Sequence, residues 1–163
     1  MNTKRFQPDI HIEAARPEDA DTISRLIKSL SGAFTLDPAG QGAEGFMSSI
    51  SPEAIRRYIE APNFAYFKGV VDGELTGVVA VRDGSHLYHL FVDQKFQGRG
   101  LARALWAHAR AHAEAAGNTG GFTVNATPVA VPVYEHFGFR ATGPRMETMG
   151  IAYVPMRLER AAK

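Results

Sequence analysis

The chain has 163 residues, 45% of them hydrophobic, and carries 18 Lys and Arg against 17 Asp and Glu for a formal net charge of +1. That length and apolar content suit one domain around one core, and the charge balance leaves no global field to draw in nucleic acid or anionic lipid. The absence of cysteine excludes a disulfide scaffold, a thiolate metal site and a cysteine nucleophile, while no apolar run approaches the roughly eighteen residues of a membrane span, so a cytoplasmic protein of one domain, with its core over residues 10–158, is expected.

Residues 1–8 read as a frayed terminus. The alternation in Ile10-His11-Ile12-Glu13-Ala14 predicts a half-exposed strand. Pro17, Glu18 and Asp19 then open a helix whose apolar face is Ile23, Leu26, Ile27 and Leu30. Ser31–Ile50 is rich in Gly, Ser and Ala without a sustained period and reads as a long mobile connection; Phe34, Phe46 and Met47 within it either line a substrate pocket or plug the loop into the core. Ser51-Pro52-Glu53 starts a second helix, with Ile55, Tyr58 and Ile59 on its apolar side, that stops near Pro62.

From Asn63 the period becomes extended. FAYFKGVV, ELTGVVAVR and SHLYHLFV are three strands of an antiparallel meander, joined by Asp72-Gly73 and Asp83-Gly84. A helix from about Arg99 to Ala116, closed by Gly117, presents Ala102, Trp106, Ala109 and Ala113 to the sheet. His108 and His112 stand at i and i+4, but the glutamate of the zinc-protease motif and a third ligand are missing; they read as helix-flank residues, and no metal is expected. A strand over Gly121–Ala126 and a short helix over Val131–Phe137, ended by Gly138-Phe139, precede two extended stretches, Arg140–Met149 and Gly150–Leu158, that form a closing hairpin. Arg145, Glu147 and Tyr153 there either face an acceptor site or lie on a solvated strand face.

The chain is organised around His86–Ala102, a strand running through a glycine-rich turn into a helix. Glycines let successive backbone N–H groups point into one concavity, and a helix start adds its unpaired N–H groups and the positive end of its dipole, so an anionic, phosphate-bearing ligand is implied. The spacing excludes a dinucleotide fingerprint, since the third glycine is replaced by Arg103, and a P-loop, since no Gly-Lys-Ser/Thr follows.

What remains is Q-x-x-G-x-A from Gln97 to Ala102, five residues after Val92; farther on stand Asn125, Ala130, Tyr134, Gly138 and Phe139. In order and spacing these residues resemble the coenzyme A motifs of the GNAT N-acetyltransferase superfamily, and the resemblance runs from Ile10 to Leu158. It implies an α/β (α+β) GNAT fold: a mixed, mostly antiparallel sheet of roughly six or seven strands flanked by about four helices, with two splayed parallel strands, ending in Val92 and Asn125, forming the coenzyme A cleft. It implies acetyl-CoA as cosubstrate, its pyrophosphate on the amides of Gln97, Gly98, Arg99, Gly100, Leu101 and Ala102, and its pantetheine arm against backbone groups of Phe91 and Val92. One of those two N–H groups would meet the oxyanion. Asn125 would hold the arm or a neighbouring carbonyl, unless it only makes an Asx turn. Tyr134 would protonate the departing thiolate, unless it is simply packed on the sheet.

For the base that deprotonates the amine, His86, six residues before Val92, is favoured over His89 and over a water chain. Strict alternation puts His86, Tyr88, Leu90 and Val92 on one face and Leu87, His89 and Phe91 on the other, and a bulge would change this. The expected partner is a primary amine of a small molecule or peptide, with no nucleic acid and no membrane; a homodimer is compatible with the sequence. The contrasting reading is a non-catalytic acyl-CoA sensor, which needs the glycine loop but neither Tyr134 nor a base.

Overall fold

Two tight turns build the middle of the sheet. In the computed structural model, which describes residues 9–160, β2 (Phe64–Val71) turns into β3 (Glu74–Arg82) through Asp72-Gly73, and β3 turns into β4 (His86–Val92) through Asp83-Gly84-Ser85. Asp72, Gly73, Asp83 and Gly84 all take positive φ, at 50°, 77°, 55° and 68°. That is the conformation matching the right-handed twist of paired strands, and it is why Asp-Gly appears at both sites. The terminus expected to fray, residues 1–8, lies outside the described residues.

β1 (His11–Ala14) pairs with β2 on the outer side, and β5 (Phe122–Ala126), β8 (Ile151–Leu158) and the short β6 (Arg140–Ala141) extend the sheet beyond β4; β7 (Met146–Thr148) pairs with β8. All pairings are antiparallel except β4 with β5. The described residues hold eight strands rather than six or seven, because the stretch before β8 breaks at Gly143-Pro144 into two short pieces instead of running as one.

Helices cover both faces. α1 (Ala20–Leu30) and α3 (Pro52–Glu60) bury Ile23, Ile27 and Ile55 against Val78 and Ala80, while α4 (Leu101–Ala115) and α5 (Val131–His136) bury Leu105, Trp106 and Tyr134 against Val79, Val81 and Val124. The alternation along β3 thus serves two cores from one strand. Trp106 stands edge-on to Phe122, with ring centres 4.9 Å apart, and closes the second core. His108 and His112 both lie edge-on to Phe67, at 4.7 and 5.2 Å. Among the described residues no helix is long and apolar enough to cross a membrane.

The segment expected to be a structureless connection, Ser31–Ile50, contains a 3-10 turn and a short helix α2 (Glu44–Ser49), and it is tied down. Ser24 Oγ donates to the Ile50 carbonyl at 2.6 Å, the Leu36 N–H donates to the Gly150 carbonyl at 2.8 Å, and Thr35 bridges to Ile151. Composition concealed this because the partners are distant in sequence. A Cβ on Gly150 would lie 2.5 Å from the Gly42 carbonyl oxygen, so the turn between β7 and β8 accepts the loop only because that residue has no side chain.

The position of α4 rests on a notch. Gly69 of β2 and Gly77 of β3 are cross-strand partners, and Leu105 fills the space above them. A Cβ on Gly77 would come within 2.9 Å of Leu105 Cδ1 and 2.7 Å of the Phe91 carbonyl. Gly77→Ala is therefore expected to destabilise the protein by about 1–3 kcal/mol, as other overpacked cores do. Urea unfolding monitored by Trp106 fluorescence checks this, and a variant as stable as the parent would show that α4 has room to retreat.

Candidate active site

β4 and β5 run side by side for only two residue pairs, His86 with Thr123 and Leu87 with Val124. Beyond them the strands part, and the gap is the centre of the site. A bulge in β4 helps to set the divergence: Ala80 pairs with His89 and Val81 with Leu87, which leaves Tyr88 as the extra residue. The bulge overturns the strict alternation. His86 and His89 lie opposite Arg82 and Ala80 and so share one face with Phe91, whereas Leu87, Leu90 and Val92 turn to the α4 side.

Backbone direction along β4 follows from one bond. The Asp93 N–H donates to the Thr76 carbonyl at 2.8 Å. In an antiparallel ladder this makes Val92 and Gly77 a pair without mutual bonds, and it turns the N–H groups of Val92 and Leu90 away from β3, toward the gap. Phe91 between them pairs with Val78, and its carbonyl points at β3, close to Gly77. The backbone polar groups of Phe91, expected to meet the cofactor arm, thus belong to the sheet, while the N–H groups of Leu90 and Val92 face the gap. The Phe91 ring, instead, lines the gap.

At one end of the gap lies the glycine loop. Gly98 and Gly100 have φ of 79° and 78°, in the left-handed region that L side chains rarely occupy. Gly100 is the N-cap of α4 and offers no side chain to its first turn, which also carries no acidic residue. The first-turn amides, beginning at Leu101, therefore have neither a capping oxygen nor a carboxylate beside them, an arrangement suited to an external anion. Gln97 is anchored, its Nε2 donating to the Val92 carbonyl at 3.0 Å, so this side chain ties the loop to the end of β4. Arg99 is exposed, with its guanidinium 5.4 Å from the Phe96 ring centre.

A hollow of about 350 Å³ beside this loop is lined by Gln97, Gly98, Gly100, Leu101, Ala102 and Tyr134. It shares Leu90, Val92 and Tyr134 with a second hollow, of about 260 Å³, that occupies the gap and adds Asn125. A third, of about 320 Å³, shares Leu87, Tyr88, Phe91 and Asn125 with the second and lies on the opposite side of the sheet's opening. The three adjoin through these shared residues and together make up a trench. A larger hollow of about 510 Å³ at the far end of α4 is a different matter. Its amide and guanidinium groups are already engaged: Asn118 Nδ2 bonds the Gly84 and Gly121 carbonyls, and Arg157 bonds Gly120 and Glu159.

Tyr134 is 6% exposed, yet its hydroxyl has no protein hydrogen bond among the described residues. No fully buried polar side-chain atom there lacks a partner, so this hydroxyl keeps contact with the trench. Burial raises its pKa, which keeps the phenol protonated. Asn125 is exposed in the gap and makes no Asx turn.

The two histidines differ. His89 is buried, shares a 2.9 Å hydrogen bond with Tyr66, and is pushed down to a pKa of about 3 by desolvation. His86 is partly exposed on the third hollow, and its Nδ1 shares a 2.8 Å bond with Thr123 Oγ1. Its pKa lies below the ordinary value through burial and then the nearby Arg82, with Asp83 opposing.

Of the residues offered by the sequence as pocket or acceptor-site candidates, Phe34, Phe46 and Tyr153 line this third hollow, whereas Met47 does not. Phe34 and Phe46 meet edge to face at 5.2 Å, Phe34 lies 5.8 Å from Phe91, and Tyr153 lines the same hollow from β8. Tyr88 donates to the Tyr58 hydroxyl, which donates to the Ser49 carbonyl. Of the three residues considered in the last hairpin only Tyr153 lines the hollow, since Arg145 and Glu147 are exposed and paired with each other at 2.7 Å. Tyr88 was not expected in this wall, and the clustering of aromatics in SHLYHLFV is the signal that could have found it.

Comparison with known proteins agrees with this geometry. A family model described as an acetyltransferase (GNAT) domain matches residues 34–160. No curated protein matches. Among solved structures, a GCN5-related N-acetyltransferase from Rhodopseudomonas palustris superposes with a TM-score of 0.78 at 16% identity, covering 98% of this chain and 100% of that one. The PaiA N-acetyltransferase from Thermoplasma acidophilum, solved with coenzyme A, gives 0.72 at 17% identity, over 93% of this chain and 99% of that one. A chimera of the spermidine N-acetyltransferase SpeG from Vibrio cholerae with hSSAT gives 0.66 at 18%, over 92% and 95%. At these identities the structural matches speak for the fold, and the family follows from the match over most of the chain: this protein is a member of the GNAT acetyltransferase family, whose acyl donor is acetyl-CoA.

Proposed function

We propose that the chain acts as a single N-acetyltransferase domain in the cytoplasm, moving an acetyl group directly from acetyl-CoA to a primary amine of a small molecule or peptide. The observation that carries this reading is the trench, which joins an uncapped helix start, a strand edge with outward N–H groups and an opening on the far face. Pyrophosphate belongs on the amides of Gln97 to Ala102, with Gln97 holding the loop and Arg99 able to swing over it. The amides of the pantetheine arm pair with Leu90 and Val92 as an added strand would, and Asn125 faces them from β5.

The proton inventory fits direct transfer. The amine nitrogen attacks the thioester carbon, the tetrahedral oxyanion meets an N–H of β4, and the C–S bond breaks as the sulfur takes a proton from Tyr134. In the tautomer that donates Nδ1–H to Thr123 Oγ1, His86 presents a free lone pair on Nε2 to take the proton that the amine must lose. His89 is a poorer base, being buried, hydrogen-bonded to Tyr66 and far too acidic as a cation.

Three outcomes are expected. Gly100→Asp, which sets a carboxylate against the phosphates at a position of positive φ, is expected to weaken acetyl-CoA binding by at least about tenfold; unchanged affinity by calorimetry would remove the loop from the site. Tyr134→Phe keeps the ring and its packing, so cofactor affinity stays and single-turnover transfer slows roughly 10²- to 10⁴-fold. A rate equal to the parent's, with chemistry limiting, would pass the acid role to water, and a protein that binds acetyl-CoA without turnover would be a sensor. Because the His86 pKa is depressed, its active neutral form persists to lower pH, so the acid limb of kcat/KM falls below pH 6.5. His86→Gln removes that limb; an unshifted limb in the variant would assign it elsewhere.

A further inference from the structure

The third hollow, where the acceptor must sit if the acetyltransferase reading holds, has a chemistry of its own. Its volume, about 320 Å³, is at the small end for ligand sites. Rings make up seven of its fifteen lining residues, Phe34, Phe46, Tyr88, Phe91 and Tyr153 with the imidazoles of His86 and His89, and the remainder are aliphatic or neutral polar side chains. These rings hold one another. Tyr88 and His89 lie 4.6 Å apart and His89 and Phe91 5.4 Å apart, while the Phe34 ring braces both Phe46 and Phe91. A flat ligand therefore meets surfaces already in place, with little side-chain freedom left to lose.

Charge is distributed just as unevenly. Among the described residues that line this hollow there is no Asp, Glu, Lys or Arg. The nearby charges are engaged outside it: Arg82 lies over the Tyr88 ring at 5.3 Å and beside Asp83, and Glu147 pairs with Arg145. One ammonium is well served by aromatic faces and by the Tyr88 oxygen, whose own proton is given to Tyr58. A second ammonium would be desolvated without a carboxylate, and a ligand carboxylate would find no guanidinium or lysine to receive it.

We infer that the acceptor is a small primary amine bearing an aromatic ring and no second charge, an arylalkylamine, with its ring between Phe34, Phe46 and Tyr153 and its nitrogen toward His86 and the gap. This deepens the acetyltransferase reading and rests on it. Polyamines and free amino acids are disfavoured by the same walls.

The test is a matched series of 2-phenylethylamine, tryptamine, spermidine and phenylalanine, assayed by thiol release from acetyl-CoA with the full chain, alongside calorimetry of acetyl-CoA. The expected result is a kcat/KM for phenylethylamine or tryptamine at least about tenfold above both spermidine and phenylalanine. A second measurement uses Phe46→Glu, on a half-exposed position of α2, which places a carboxylate in the wall. It is expected to shift the ratio of phenylethylamine to spermidine by about tenfold toward spermidine, a change that general damage to the fold would not make. Spermidine or phenylalanine equalling the aromatic amines in the parent overturns the inference, as does turnover of none of the four by a protein that binds acetyl-CoA. A protein that fails to bind acetyl-CoA at all takes the acetyltransferase reading down with it.

Discussion

The constraint on which the rest depends is that β4 and β5 stay paired for two residues and then separate. A continued ladder would have satisfied the backbone of Leu90 and Val92 and sealed the sheet. Instead those N–H groups face an opening, where they need water or a ligand amide to replace the missing strand. On the proposed reading an extended arm of amides fills that need, so that binding completes the sheet. The bulge at Tyr88 matters to the chemistry as well, because it brings His86, His89 and Phe91 to one face and leaves Leu87, Leu90 and Val92 on the other.

The surrounding structure holds this opening in register with the glycine loop and the uncapped start of α4. Gly69 and Gly77 let Leu105 sink into the sheet, which fixes α4 and with it the first turn at Leu101. Gln97 ties the loop to Val92, the residue at the end of the same strand. On the far side, the Ser31–Ile50 segment and the β7–β8 hairpin are bonded to each other through Leu36, Thr35 and Gly150, so the wall of the third hollow is a single unit assembled from two remote stretches. Tyr134 and His86 stand on different hollows that share Leu87, Tyr88, Phe91 and Asn125 through the middle one, which suits a donor and an acceptor approaching from opposite sides.

Much of this was legible in the sequence for local reasons. The Asp-Gly turns, the strands they join and the glycine-cushioned start of α4 are each set by backbone preferences within a few residues. Asn125 and Tyr134 were legible through spacing, and only by resemblance. The bulge was not: every position of Leu87-Tyr88-His89-Leu90-Phe91-Val92 is apolar or aromatic, so a period of two carries no phase there and does not show that Leu90, rather than Phe91, turns its backbone N–H toward the gap. Nor could composition show that Phe34, Phe46 and Tyr153 line one hollow, since that depends on tertiary docking of a loop without periodicity.

The central claim is that acetyl-CoA enters as an added strand on β4. Residue-resolved amide hydrogen exchange, with and without acetyl-CoA, tests it most directly. The account predicts that the amides of Leu90, Val92, Leu101 and Ala102 become slower to exchange on binding, while that of Phe91, already paired with Val78, changes little. Unchanged exchange at Leu90 and Val92 in a protein saturated with acetyl-CoA would contradict it.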